Sequence, residues 1–92
     1  TVASGISVSS PPRIEQAVNA VRASNGATTT VTDEHILNWQ RAIATKEGVF
    51  CEPTSAAAFA GLEELIKQGA IPKGSNVLVP VTGSGLKESA AV

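Results

Sequence analysis

What the sequence lacks excludes several classes of function. It has one cysteine, Cys51, so no internal disulfide framework can form, and the composition fits a reducing compartment such as the cytoplasm. It has no excess of either charge, with 7 basic and 8 acidic residues. That removes the electrostatic case for a nucleic-acid or anionic-membrane partner. No stretch approaches the ~20 apolar residues of a membrane span, and no basic-then-apolar leader is present. There is no phosphate-binding GK[ST] loop and no set of residues at metal-ligand spacing. No internal repeat or low-complexity segment occurs. Ninety-two residues make one domain at most. A domain of that size buries only roughly 60–65% of its unfolded surface and is marginal alone. The chain starts at Thr1 rather than Met, which fits a processed product or a piece of something longer.

What is present alternates between helix and strand signals. Residues 1–10 are small and Gly/Ser-rich and predict a loop or short strand. A helix follows from PPRIEQAVNAVRASNG, capped by Ser10, with Pro11 and Pro12 in its first turn. Ile14, Ala17, Val18 and Val21 form its apolar stripe, and Asn25-Gly26 ends it. The β-branched run 27–32 predicts a strand. Thr32 caps a second helix, with Asp33 and Glu34 facing the positive end of its dipole. Ile36, Trp39 and Ile43 share one side, and Gly48 is the stop. A third helix follows Glu52, with Thr54 or Ser55 as cap. Residues 55–62 carry no charge, which predicts burial on all sides. Glu63, Glu64, Lys67 and Gln68 then face water, Gly69 ends the helix, and residues 71–75 turn. The unbroken apolar run 77–81 predicts the most buried strand, finishing near Pro80. The pattern is α/β: three helices with short parallel strands.

Two stretches are candidates for chemistry. Thr82-Gly83-Ser84-Gly85 follows a strand signal, where open α/β sheets bind ligands. Its glycines permit close backbone approach and its hydroxyls can donate or accept. A tight turn that binds nothing is the competing reading. In the second stretch, Glu52 stands between an apolar run and an uncharged helix, so its carboxylate must be paired, hydrogen-bonded or at the surface. His35 is expected to be solvent-exposed. Cys51 is expected to be a small buried hydrophobe, since no histidine lies near it in sequence. Trp39 is expected in the core or at a domain contact. Lys87 is expected to be solvated, with a phosphate or carboxylate contact as its alternative.

Taken together, VTDEHIL, GVFCEPTSAAAFAGL and IPKGSNVLVPVTGSGLKE resemble the C-terminal part of the threonine synthase family. These are pyridoxal 5′-phosphate (PLP) enzymes of the tryptophan-synthase-β-like group, fold type II, and the match covers nearly the whole chain. The resemblance implies that Thr82 hydrogen-bonds the cofactor's pyridine nitrogen, with Gly83 and Ser84 shaping the loop and Glu52 near the cofactor. It also implies that helix 55–62 packs behind the cofactor's sheet. The family converts O-phospho-L-homoserine and water to L-threonine and phosphate by proton abstraction, γ-elimination and water addition at Cβ. The implied full-length enzyme is a cytoplasmic homodimer, and no catalytic residue or metal ligand falls in this segment. The sequence departs from the family at Ser84, where many members have His, and at Glu88, where many have Asp. The Schiff-base lysine and the Gly/Asn-rich phosphate loop belong to the family's N-terminal part. Lys46, Lys67 and Lys73 all read as surface residues. Residues 1–92 are therefore expected to be a single C-terminal segment without activity of its own. Two alternatives remain: a dehydratase or β-replacement enzyme of the same fold, and a stand-alone α/β binding module.

Overall fold

A computed structural model describes residues 1–6 and 12–86. Among the described residues, a 3-10 turn at Ser4–Ile6 is followed by three α-helices: α1 (Ile14–Ala23), α2 (Asp33–Glu47) and α3 (Pro53–Lys67). The sequence-level cap for α1, Ser10, lies outside the described residues, as does Pro11. Arg13 is the observed N-cap of α1. At its other end the left-handed residue is Asn25, at φ 54°, while the Gly26 N–H closes the turn on the Val21 carbonyl at 2.8 Å. Asparagine tolerates that conformation because its short side chain bonds locally.

The limits of α2 follow from local chemistry. The Thr32 hydroxyl accepts the His35 N–H at 3.1 Å, and Gly48 closes the helix at φ 68°. Asp33 also anchors the start of the chain: its carboxylate accepts the Thr1 hydroxyl at 2.8 Å and the Val2 N–H at 3.1 Å. Those two bonds, the hydroxyl first, hold its pKa below the ordinary carboxylate value. In α3, Pro53 occupies the first turn, where its missing N–H costs nothing, and Glu52 is the N-cap. Neither Thr54 nor Ser55 caps the helix. Gly69, at φ 80°, follows its end.

The core lies between α2 and α3 and is small: Ala3, Ile36, Ile43, Cys51, Ala56 and Ala60. Trp39 stacks on Phe59 beside it, with ring centroids 5.8 Å apart. Gln40 is buried, and its side-chain amide donates to the Cys51 carbonyl at 2.8 Å. This bond ties α2 to the segment that leads into α3. Burial of α3 is one-sided, since Ala58 is exposed.

Two expectations of the sequence are corrected here. Among the described residues no β-strand forms, at 27–32 or at 77–81, and a lone antiparallel bridge joins Cys51 to Ser84. Nor is 77–81 buried: Val77 is 45% exposed and Leu78 90%. The physical reason is that a strand is a property of a pair. It needs a second backbone at about 4.8 Å to satisfy its N–H and C=O groups. Among the described residues, 77–81 has no such backbone partner. The apolar stripe of α1 is likewise uncovered, with Ile14 and Val18 both exposed.

Candidate functional site

The site is built where the loop at 82–85 folds back onto the entry to α3. Two backbone bonds make the antiparallel bridge: Glu52 N–H to the Gly83 carbonyl at 3.0 Å, and Gly85 N–H to the Phe50 carbonyl at 2.9 Å. Ser55, in the first turn of α3, adds a third attachment. Its hydroxyl accepts the Thr82 N–H at 3.1 Å and the Gly83 N–H at 3.0 Å, and lies 3.3 Å from Thr82 Oγ1. The loop is thus held by main-chain bonds and by the Ser55 hydroxyl.

Both glycines sit against a side chain that would have to shift to admit a Cβ. A Cβ on Gly83 would overlap the Glu52 carboxylate, and one on Gly85 would come within 2.6 Å of the Phe50 ring. Glu52 is buried, its backbone carbonyl accepts the Ser55 and Ala56 N–H groups, and its side chain lies along Gly83. The structure therefore brings Glu52, Thr82, Gly83 and Ser84 together, although thirty residues of sequence separate the first two. Thr82 is exposed at the loop's outer edge. Ser84 is exposed, and its hydroxyl accepts the Leu86 N–H at 3.2 Å. Cys51 is fully buried, and desolvation pushes its thiol pKa up, which makes it a packing residue.

Reasoning from sequence alone missed Ser55's part in the loop. A signal was available: with Pro53 fitting the first helical position, the cap falls at Glu52, which frees the Ser55 hydroxyl for another partner. It also missed a cluster on the neighbouring face. His35 was expected in solvent and Glu63 in water, yet they pair with each other, and the Trp39 indole N–H donates to the same carboxylate oxygen at 3.2 Å. They line an open groove of about 690 Å³, with Lys46, Phe59 and Val81, that runs up to the residue before Thr82. The His35 bond, then the indole bond, lower the Glu63 pKa. A depressed carboxylate stabilises the fold fully above its ordinary value, and that contribution is lost as pH falls through the depressed one. Glu63→Gln should therefore flatten the acid limb of a melting-temperature series below the ordinary carboxylate value of 4.5 in the full-length protein. An acid limb as steep as wild type would contradict this. Lys46, Lys67 and Lys73 are exposed, while Lys87 and Glu88 lie outside the described residues. Among the described residues no group of three metal-ligating side chains occurs, and no helix is long and apolar enough to cross a membrane.

Comparison with known proteins gives this geometry its setting. Residues 1–83 match the family model described as pyridoxal-phosphate dependent enzyme. Over 88 residues the chain is 47% identical to a threonine synthase of Halalkalibacterium halodurans, covering 96% of this chain and 25% of that protein. It is 39% identical to a threonine synthase of Methanocaldococcus jannaschii and 44% to one of Synechocystis sp., each covering 96% of this chain and 22% of the relative. The chain thus spans about a quarter of the length of these curated relatives. With the family model covering all but the last nine residues, the chain belongs to the family of pyridoxal-phosphate dependent enzymes.

Proposed function

We propose that this chain is the C-terminal segment of a threonine synthase, an enzyme that converts O-phospho-L-homoserine and water to L-threonine and phosphate. The observation that carries the reading is the 47% identity to a threonine synthase across nearly the whole segment, the clasped loop included. The residues present fit the cofactor. Thr82 offers an exposed hydroxyl, and Gly83 and Gly85 have no side chain beside it. When bound, PLP supplies the electron sink for proton abstraction next to the amino group.

In this reading Thr82 meets the pyridine nitrogen, Gly83 and Ser84 set the loop, and Glu52 fills the space behind Gly83. A neutral hydroxyl, unlike a carboxylate, leaves the ring nitrogen unprotonated and tempers the sink. No lysine among the described residues stands at the loop, so the residue that anchors the cofactor aldehyde comes from elsewhere in the full-length enzyme. The segment alone is then inactive. Residues 27–32 and 77–81 become strands of a parallel sheet once neighbouring backbone is present, and the exposed stripe of α1 is covered at the same time. The complete enzyme works as a cytoplasmic homodimer.

The test is an assay of the full-length enzyme on O-phosphohomoserine, threonine and serine. Threonine and phosphate should form from the first. A 2-oxo acid released from threonine or serine as the main product would overturn the reading in favour of a dehydratase. Thr82→Ala should lower kcat about 10- to 100-fold and alter the cofactor's visible spectrum, as expected for one lost hydrogen bond to a reacting group. Unchanged turnover and spectrum would remove Thr82 from the site.

A further inference from the structure

The Ser55 hydroxyl has one hydrogen and two acceptor lone pairs. The Thr82 and Gly83 N–H groups, at 3.1 and 3.0 Å, occupy both lone pairs. The remaining bond, 3.3 Å to Thr82 Oγ1, must therefore use the Ser55 hydrogen, and it runs from Ser55 to Thr82. The opposite direction would put three donors on one oxygen and strand the Ser55 hydrogen in a residue only 2% exposed. Thr82 Oγ1 accepts this bond, so its own hydrogen is left for a partner outside the loop, on the exposed side. We infer that Ser55 is a positioning residue that fixes Thr82 as a hydrogen-bond donor toward the cofactor's ring nitrogen, admitting that nitrogen only in its unprotonated, accepting form. The inference rests on the assignment of Thr82 to the ring nitrogen. It adds the device that makes the threonine hydroxyl one-directional, which an isolated threonine, free to donate or accept, would lack.

The test uses the full-length enzyme carrying PLP labelled with ¹⁵N in the ring, alongside the apoenzyme. In Ser55→Ala the ring-nitrogen resonance should move toward its protonated position, with the protonated-to-unprotonated ratio rising about fivefold, the equivalent of one hydrogen bond. In the apoenzyme, hydrogen exchange at the Thr82 and Gly83 amides should rise by a similar factor. Ser55→Thr keeps the hydroxyl and should restore both readouts. Ser55→Cys, close in volume, should give a smaller shift in the same direction, and it serves if the alanine variant does not fold. Wild-type resonance and exchange in both the alanine and cysteine variants would overturn the inference. Thr82→Ala separates the two levels. If it moves the resonance while Ser55→Ala does not, the Ser55 role alone falls; if it leaves the resonance in place, the Thr82 assignment falls and takes the Ser55 role with it.

Discussion

Gly83→Ala is expected to weaken PLP binding in the full-length enzyme about 10- to 100-fold, the scale of a 1–3 kcal/mol overpacking penalty. The backbone at this position is not in the left-handed region, so the cost is not conformational. It is one of occupied space, since the added methyl would overlap the Glu52 carboxylate. The Glu52 carboxylate must shift to admit the methyl, while the Glu52 backbone is held in place. Glu52 is buried, it caps α3, and its N–H is bonded to the Gly83 carbonyl at 3.0 Å. Pushing the two apart opens the bridge that holds Thr82. A titration followed by PLP absorbance measures the effect. The double variant Gly83→Ala with Glu52→Ala empties the contested space and should recover most of the affinity, which a glycine needed only for flexibility would not allow. Wild-type affinity in the single variant would show that the loop relaxes freely and that the contact is unimportant.

Ile36→Ala is expected to cost about 2–4 kcal/mol of stability, the range for truncating a fully buried aliphatic side chain. Ile36 is 1% exposed, and the core around it is otherwise built from Ile43, Cys51 and three alanines. The fully buried neighbours are mostly small, so Trp39 and Phe59 at the rim would have to move to fill the vacated volume, and part of the cavity should persist. The loss matters beyond the core because Gln40, one turn further along α2, holds the Cys51 carbonyl next to the bridge. Denaturant unfolding of the full-length protein should show a lower midpoint, with loosened exchange protection spreading to residues 50–55. A shift below about 0.5 kcal/mol would mean that α2 and α3 are held together chiefly by something else.

The features legible in the sequence are those written within one helical turn. Thr32 and Gly48 bracket α2 because a cap needs only its own neighbours, whereas the cap of α3 is expected at Thr54 or Ser55 and falls at Glu52, just before Pro53. The end of α1 was displaced by one residue, since Asn25 and Gly26 can both serve and the difference lies in local bonding. The candidate loop was legible as a composition, Thr-Gly-Ser-Gly, but its attachment was not. Ser55 and Thr82 stand 27 residues apart, and His35 and Glu63 stand 28 apart, beyond any periodic pattern. The strand signal at 77–81 recorded what the segment is made of. Whether a strand exists depends on a neighbour that the segment cannot encode.

Residues 77–81 also have a consequence for handling the protein. Leu78 is almost wholly in water, and Val77 and Val81 are close to half so. A flat apolar ribbon with open N–H and C=O groups is a template on which further copies can stack. Pro80, which has no N–H, interrupts that template at a single point. Prepared by itself, this stretch would favour insoluble self-assembly, so expressing it together with the polypeptide that covers it is the sounder route to soluble material.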